Sequence, residues 1–217
     1  MNIKILIADD HKITRDGLSA LIEKQDNMEV VGEADNGRIA VELVEQLKPD
    51  IIIMDIRMPD LNGIDATRQI LSNSPGSKII ALSMYSDSRY VKGMLQAGVS
   101  GYLVKSCAFE ELVNAINAVV ANQAYLSPSI ADTVMKNYVE SLSGNDQSQS
   151  PDSCLSSRER EVLQLIAEGA TADQIATRLH ISVKTVSTHR RNIMEKLAID
   201  NIAGLIKFAV REGLTSI

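Results

Sequence analysis

The sequence predicts an α/β chain, with a doubly wound parallel sheet of five strands followed by a second, smaller all-α domain. Three observations lead to this prediction. Short apolar runs recur along residues 1–121 and alternate with segments of helical period. A polar stretch without any apolar residue follows at residues 143–153. Beyond it every apolar pattern is helical, so the chain divides into a part containing a sheet and a helical part.

Five apolar runs are predicted as strands, because runs without polar alternation are buried on both faces of a parallel sheet. They are residues 3–8, 30–31, 51–54, 79–82 and 102–104. Apolar residues at helical spacing follow each run, for example Leu43, Val44 and Leu47 after the second. Five strand–helix repeats within residues 1–121 are typical of a flavodoxin-like domain.

The remaining elements are predicted in order from caps and composition. Helical spacing continues over residues 130–142, and the polar stretch at 143–153 cannot bury a core, so residues 122–154 are predicted as a partly helical linker. The second domain is predicted over residues 155–217. Its helices are expected to begin after Ser156 or Ser157, after Thr171 and after Ser182, and a last helix at 202–212 is expected to end at Gly213.

Charge is distributed unevenly along the 217 residues, which carry a formal net charge of −6. Residues 155–217 contain nine Lys or Arg against seven Asp or Glu, so the rest of the chain carries −8. This distribution indicates that only the C-terminal part is suited to a polyanionic partner.

Composition also bears on the compartment. Two cysteines are too few for a disulfide framework. The sequence contains no apolar stretch long enough to span a bilayer and no cleavable apolar segment near Met1. We therefore expect a cytoplasmic protein without a membrane partner.

Acidic residues end two of the predicted strands. Asp9 and Asp10 follow the first run and Asp55 follows the third, while Ser83 and Lys105 end the fourth and fifth. The carboxyl ends of parallel strands meet at one edge of the sheet. Three neighbouring carboxylates repel, so the cluster calls for a divalent cation held by oxygen ligands. The pattern points to phosphoryl chemistry on an aspartate, although each Asp alone fits an ordinary helix N-cap.

These motifs resemble a known family. Asp9-Asp10, residues 54–63, Ser83, Gly101-Tyr102 and Lys105 resemble the receiver domain of bacterial two-component response regulators. Residues 155–214 resemble the LuxR-type four-helix DNA-binding domain. Together the two halves are similar to the NarL/FixJ subfamily over essentially the whole chain.

The resemblance implies a role for each residue of the acidic cluster. Asp55 would accept a phosphoryl group from a sensor histidine kinase. Asp9, Asp10, Asp55 and the Arg57 backbone carbonyl would hold Mg²⁺. Lys105 would pair with the phosphoryl oxygens, and Ser83 and Tyr102 would form a switch pair. The alternatives are a solvated Lys105, a Ser83 that merely fits a crowded strand end, and a Tyr102 at the rim with its hydroxyl in water.

The lengths of the segments at residues 172–179 and 183–197, joined by a turn at 180–182, predict a helix-turn-helix. In the second helix, Val183, Val186, Ile193 and Leu197 are predicted to be buried. By resemblance, Ser187, Thr188 and Arg191 would meet base edges, and Lys184, Thr185, His189 and Arg190 would meet phosphates. The alternative is a solvated helix face.

The resemblance implies a transcriptional regulator that binds promoter DNA as a homodimer when phosphorylated, with RNA polymerase as a further partner. It would be no enzyme beyond its own phosphorylation and dephosphorylation. One alternative is a phosphatase with an aspartate nucleophile, although such enzymes usually carry an acid where this chain has Arg57. The others are a regulator independent of phosphorylation and a helical half that only binds proteins.

Overall fold

The computed structural model describes residues 2–84, 87–106, 109–142 and 154–215. The chain forms two compact units, Met1–Asn145 and Asp146–Ile217. Residues 143–153, predicted as the flexible part of the linker, lie outside the described residues.

The first unit is built on a parallel sheet with strand order β2-β1-β3-β4-β5-β6. Its centre is apolar on both faces: every residue of β3 is buried, with the aspartate at its carboxyl end. This burial is the reason why the central strands show no alternation of polar residues. The strands are β1 Ile3–Ala8, β2 Met28–Ala34, β3 Ile51–Asp55, β4 Lys78–Ser83, β5 Gly101–Val104 and β6 Tyr125–Leu126.

Helices cover both faces of this sheet. They are α1 Lys12–Ile22, α2 Gly37–Leu47, α3 Gly63–Asn73, α4 Ser88–Ala97, α5 Phe109–Val120 and α6 Pro128–Leu142. Ile22 of α1 and Ile116 of α5 pack with Ile5, Ile7 and Ile53 on one face. The helices α2, α3, α4 and α6 pack on the other face around alternate residues of the same strands. The predicted doubly wound α/β architecture is confirmed.

The sheet has six strands, one more than predicted. Tyr125 and Leu126 pair in parallel with Gly101 and Tyr102 of β5. The predicted linker therefore begins with elements of the first unit, since α6 also packs on α4 and its Ile130 is fully buried. A strand of two residues is too short to produce a recognisable pattern, and its position depends on pairing with β5.

The second unit is all-helical in its described residues, as predicted. Its helices are α7 Ser157–Ala167, α8 Ala172–Leu179, α9 Val183–Leu197 and α10 Ile202–Arg211. Ser156 and Thr171 form capping boxes, and Ser182 caps α9 by accepting a hydrogen bond from Thr185 N. The four helices share one apolar core. Throughout the described residues, no helix combines the length and the apolarity that crossing a bilayer requires.

Candidate functional site

The carboxyl ends of β1 and β3 carry a cluster of carboxylates. Ala8 of β1 lies opposite Met54 of β3 in the parallel register, so Asp9 and Asp55 end up side by side. Both residues are buried, with exposed fractions of 1% for Asp9 and 5% for Asp55. Asp10 is more exposed, its side chain at 32%. The structure thus brings together the three acids that the sequence predicted at one sheet edge.

Lys105 supplies positive charge to this cluster. It follows β5, where its backbone N–H donates a hydrogen bond of 2.6 Å to the Ser83 carbonyl. Its Nζ lies 2.6 Å from Asp9 Oδ2 and 2.8 Å from Asp55 Oδ2, and its side chain is only 9% exposed. The alternative of an ordinary solvated lysine is therefore wrong.

Burial and charge act in opposite directions on these groups. Burial raises the pKa of Asp55 from its ordinary value of 3.8 to about 6, even though the Lys105 ammonium lowers it. For Lys105, burial favours a lower pKa, but the Asp55 and Asp9 carboxylates outweigh burial, so the pKa is raised. Lys105 therefore stays charged at neutral pH, while ionised Asp55 is poorly solvated. An added divalent cation would offset that loss of solvation.

The turn after β1 is fixed by hydrogen bonds on both sides of Asp9. The Asp9 N–H donates to the Ala34 carbonyl at 3.0 Å, and Asp9 Oδ1 accepts from the His11 N–H at 2.9 Å. Arg15 Nη1 donates to the Asp9 carbonyl at 2.7 Å, while Arg15 Nε lies 3.4 Å from Glu33 Oε2. The peptide that joins the two neighbouring acids is thereby held in one orientation.

The loop from β3 to α3 is equally constrained. The Gly63 N–H donates to the Ile56 carbonyl at 2.8 Å, and Asn62 Oδ1 caps α3 by accepting from the Asp65 N–H at 3.0 Å. Arg57, whose backbone carbonyl is the predicted metal ligand, is half-buried within this loop. A carbonyl in so short and closed a loop has little freedom to move.

The donor set fits a hard divalent cation. Asp9, Asp10, His11 and Asp55 each offer one ligand atom, and these atoms all lie within 4.8 Å of one another. Asp9 Oδ2 is buried, and Lys105 Nζ lies 2.6 Å from it. A carboxylate oxygen with spare lone pairs beside two further carboxylates suits an ion that prefers oxygen. The acidic pocket can therefore bind a metal ion.

Ser83 and Tyr102 lie next to this pocket on neighbouring strands. Tyr102 is fully buried, and Ser83 is 1% exposed. Burial raises the pKa of Tyr102 to about 12, opposed by a hydrogen bond with the Ser83 side chain. The alternative of a rim tyrosine with its hydroxyl in water is therefore wrong. The two hydroxyls are directly coupled, so a change at Ser83 reaches Tyr102.

We expect Lys105→Met to lower the free energy of unfolding of the first unit by about 3–5 kcal/mol, the usual cost of removing one partner of a buried ion pair. Asp9 and Asp55 would then face each other without a compensating cation. Millimolar Mg²⁺ should raise the melting temperature of this variant more than that of the unmodified chain. Thermal and urea unfolding with and without Mg²⁺ measure both effects. Equal stability of the two chains would contradict the structural role of Lys105.

The residues predicted to contact DNA all lie on α9, the second helix of the helix-turn-helix. The turn before it places His180 in the left-handed region, at φ 53°. Most of the predicted contacts are exposed and the others are half-buried. The exposed residues are Lys184, Ser187, Thr188, Arg190 and Arg191, and the half-buried ones are Thr185 and His189.

The hydroxyl groups on α9 are engaged with their own helix. Ser187 Oγ donates to the Val183 carbonyl at 3.1 Å, and Thr188 Oγ1 donates to the Lys184 carbonyl at 3.0 Å. Each oxygen keeps acceptor capacity toward a base amine, but donation to a base requires the hydroxyl to turn. Arg191 is paired only loosely, its Nε 3.8 Å from Glu195 Oε1, and such exposed pairs contribute little to stability.

The buried side of α9 differs from the prediction at one position. Val186 and Ile193 are buried and Leu197 packs on the core, as predicted. The prediction for Val183 is wrong, because Val183 is 41% exposed. It is the first residue of the helix.

Two contacts hold α9 and α8 against α7. Lys196 Nζ lies 2.7 Å from Glu159 Oε2, and Arg158 donates a hydrogen bond to the Leu179 carbonyl. Burial favours a higher pKa for Glu159, but the Lys196 ammonium and the hydrogen bonds with Ser156 together outweigh burial, so the pKa is lowered. The ion pair thus anchors the last turn of α9 to the core while the opposite side of the helix stays exposed.

Sequence reasoning missed two residues of the acidic site. His11 is at the N-cap position of α1, yet its side chain caps nothing and its Nδ1 lies 2.7 Å from Asp10 Oδ1. Arg15 is the residue that holds the Asp9 carbonyl. The adjacency of His11 to Asp10 was a usable signal. Arg15 gave none, because its contact depends on how α1 leaves the turn.

Both units match known protein families. Residues 5–117 match the response regulator receiver domain. Residues 153–209 match the luxR family of bacterial regulatory proteins. The two matches together cover most of the chain.

Full-length relatives share this organisation. The chain is 36% identical over 213 residues to the response regulator GacA of Pseudomonas aeruginosa, covering 98% of this chain and 97% of the relative. It is 38% identical over 215 residues to the oxygen regulatory protein NreC of Staphylococcus carnosus, covering 98% of this chain and 99% of the relative.

Solved structures give the same result. A two-component response regulator of the LuxR family from Aurantimonas sp. SI85-9A1 has 36% identity and a TM-score of 0.62, covering 64% of this chain and all of that one. RcsB of Salmonella enterica serovar Typhimurium, solved bound to promoter rprA, has 27% identity and a TM-score of 0.59 over 96% of this chain and 98% of that one.

Proposed function

The chain belongs to the two-component response regulators of the NarL/FixJ type, with a receiver domain and a LuxR-type DNA-binding domain, and from this premise we propose that phosphorylation of Asp55 controls its binding to promoter DNA. Regulation by phosphorylation is the mechanism of this family. The chain is a response regulator whose output domain is of the DNA-binding luxR type, and it is not a classical enzyme. Its only catalysis would be its own phosphorylation and dephosphorylation.

Mg²⁺ is the proposed metal of the acidic pocket. Asp9, Asp10, Asp55 and the Arg57 carbonyl would hold it, and the closeness of the three carboxylates, with ligand atoms within 4.8 Å of one another, supports this assignment. A bound Mg²⁺ supplies positive charge that neutralises the anionic reactants of phosphoryl transfer. Hydrogen bonds from the His11 N–H and from Arg15 hold the Asp9 carboxylate and the Asp9 carbonyl in place.

Asp55 is the proposed nucleophile. One of its carboxylate oxygens would attack phosphorus while the bond from phosphorus to the kinase histidine nitrogen breaks, and that nitrogen keeps the electron pair. Lys105 Nζ, now 2.8 Å from Asp55 Oδ2, would then pair with the added phosphoryl oxygens. The phosphoryl group carries about −1.5 to −2 charges, which Lys105 partly compensates.

Ser83 and Tyr102 are the proposed switch. A phosphoryl oxygen on Asp55 would attract the Ser83 hydroxyl, which would leave its hydrogen bond with Tyr102. The buried Tyr102 would then have to find a new partner or orientation beside α4, where Tyr90 packs in the same core. This is a local change of charge that biases a packed element with two arrangements.

The proposed consequence is dimerisation and DNA binding. Two second units on two half-sites would raise the modest affinity expected of one unit with a net charge of +2. We assign the receiver role to residues 1–121, extended by β6 and α6, and the DNA-binding role to residues 155–217. The proposed partners are a sensor histidine kinase, promoter DNA and RNA polymerase, with a cytoplasmic location.

The observation that carries this proposal is the contact of Lys105 with both Asp9 and Asp55 in a cluster that could hold a metal ion. The test is to incubate the chain with Mg²⁺ and acetyl phosphate, followed by intact mass, gel filtration and binding to genomic fragments that the chain selects. We expect one added phosphoryl group, a shift to the dimer and tighter DNA binding. Phosphoryl gain without any change in assembly or DNA affinity would contradict the proposed control.

We expect Arg191→Ala to weaken binding to a selected DNA fragment by about 1–3 kcal/mol, the discrimination given by an arginine that contacts guanine through two hydrogen bonds. Binding to unrelated DNA should change far less. Lys207→Ala is the matched control, because it removes a charge from an exposed position of a different helix, α10. Fluorescence anisotropy on both DNAs at fixed salt measures the effect. An equal loss on selected and unrelated DNA would place Arg191 on phosphates instead.

A further inference from the structure

Among the possible metal ligands of the acidic pocket in the described residues, His11 is the one that offers a nitrogen atom. The proposed function gives it no role. Its side chain is 70% exposed, and its Nδ1 lies 2.7 Å from Asp10 Oδ1 and 3.4 Å from Asp9 Oδ1. It occupies the N-cap position of α1 but accepts no capping hydrogen bond. The ring is therefore turned toward the carboxylates and not toward the helix that it begins.

The spacing of the donors fits a single ion that includes this nitrogen. All four ligand atoms lie within 4.8 Å of one another. With metal–ligand distances of about 2.1 Å, ligands of one ion are separated by at most about 4.2 Å. Small side-chain rotations would bring the ligand atoms from within 4.8 Å to the separation that one ion requires. The Asp9 carboxylate is buried at this pocket, and Lys105 Nζ holds its Oδ2 at 2.6 Å.

A nitrogen ligand changes the metal preference of a carboxylate site. Mg²⁺ takes oxygen ligands and keeps several waters, and an imidazole adds little to its binding. First-row transition ions gain from imidazole, in an order that rises from Mn²⁺ through Co²⁺ to Ni²⁺ and Cu²⁺. His11 would therefore act on the affinity for these ions and leave the Mg²⁺ affinity nearly unchanged.

We propose that His11 is a ligand of the acidic pocket, together with Asp9, Asp10 and Asp55, and that it gives this site a selective affinity for a divalent transition ion. The inference rests on the metal site of the proposed function and adds a second class of ion to it. A transition ion bound through His11 would occupy the position proposed for Mg²⁺. The occupancy of the pocket would then depend on which ion is available.

The competing interpretation is a surface pair in which His11 only contacts Asp10. In that case the imidazole would not discriminate between metals, and its removal would alter the affinities for all ions alike. The ratio of Co²⁺ affinity to Mg²⁺ affinity separates the two interpretations. This ratio is insensitive to a general loosening of the turn, which would weaken both ions.

The experiment titrates Co²⁺ and, separately, Mg²⁺ into the full chain by calorimetry. The variants are His11→Gln and, as a control, His180→Asn, which removes a histidine of the second unit at a left-handed position that asparagine tolerates. We expect His11→Gln to lower the Co²⁺ affinity at least about tenfold, the effect that even outer-shell partners have on metal affinity. The Mg²⁺ affinity should stay within about twofold, and His180→Asn should change neither. Paramagnetically shifted imidazole resonances should appear with Co²⁺ and vanish in His11→Gln.

Unchanged Co²⁺ affinity in His11→Gln, or a parallel loss for both ions, would overturn the inference while leaving the proposed Mg²⁺ site intact. Absence of binding of either ion to the unmodified chain would overturn the inference and the metal site together. Acetyl phosphate labelling with Mg²⁺ tests the proposed function independently, since that reaction does not require His11.

Discussion

Asp55→Asn is expected to abolish the gain of a phosphoryl group from acetyl phosphate and Mg²⁺. The amide that replaces the carboxylate is a poor nucleophile, and no described carboxylate other than Asp9 and Asp10 shares the pocket. Dimerisation and tighter DNA binding upon acetyl phosphate treatment should disappear with it. Intact mass spectrometry gives the first result, and gel filtration with DNA anisotropy gives the second.

This loss should not be due to unfolding. The pKa of Asp55 is raised from 3.8 to about 6 in the folded chain, chiefly by burial. The folded state therefore binds more protons than the unfolded state between these values, and the contribution of Asp55 to stability falls as pH rises from about 4 to 6. Above pH 6 ionised Asp55 disfavours folding, so Asp55→Asn should be at least as stable as the unmodified chain there. Urea unfolding of both chains at pH 5 and at pH 7.5 checks whether the stability of Asp55→Asn relative to the unmodified chain increases with pH.

Asp16→Asn is the matched control for this substitution. Asp16 is an exposed residue of α1, outside the acidic pocket, and should accept the same change without consequence. Phosphoryl gain equal to that of the unmodified chain in Asp55→Asn would remove the proposed mechanism. If Asp16→Asn lost as much phosphoryl gain as Asp55→Asn, the mechanism would also be removed, because the assay would then report on something other than the pocket.

Gly63→Ala should lower the stability of the first unit strongly. A Cβ at this position would lie 1.9 Å from the Asp55 carbonyl oxygen and 3.0 Å from Ile56 Cα. Both are backbone atoms of β3 and its loop, so no side-chain rotation relieves the overlap. Overpacking usually costs 1–3 kcal/mol, and a backbone clash at this distance should cost about 3 kcal/mol or more. That is a large fraction of the stability of a domain.

We expect the receiver unit of Gly63→Ala to unfold at a much lower urea concentration than that of the unmodified chain. The folded fraction should also bind Mg²⁺ more weakly, because the Asp55 carbonyl must move. Gly17→Ala is the control, since a Cβ there meets nothing within 4 Å. In the helix α1 this change should stabilise by up to about 1 kcal/mol. Urea unfolding and Mg²⁺ calorimetry on both variants make the comparison. Equal stabilities of the two variants would contradict the close packing described for this loop.

The fold was predictable wherever burial alone determines structure. The runs at residues 51–54 and 79–82 are apolar because both faces of the sheet are covered, and periodicity detects that directly. The caps Ser156, Thr171 and Ser182 were predictable because an N-cap is a local interaction. The strand β6 was not predictable, because two residues carry no pattern and their place depends on β5.

The acidic site was predictable to the same extent. Parallel strands bring their carboxyl ends to one edge, so the meeting of Asp9, Asp55 and Lys105 followed from the positions of three apolar runs. The burial of Tyr102 and the contacts of His11 and Arg15 did not follow, because side-chain rotamers and the path of α1 determine them. The exposure of Val183 was missed for a related reason, since periodicity does not show where a helix leaves the core.

Locating the phosphoryl group on the chain shows whether Asp55 is the nucleophile. Borohydride reduces an acyl phosphate to an alcohol, so treatment after acetyl phosphate labelling converts a phosphorylated aspartate into homoserine, which peptide mass spectrometry identifies. We expect homoserine at Asp55 alone, dependent on Mg²⁺. Homoserine at Asp9 or Asp10, or none after a confirmed phosphoryl gain, would contradict this expectation.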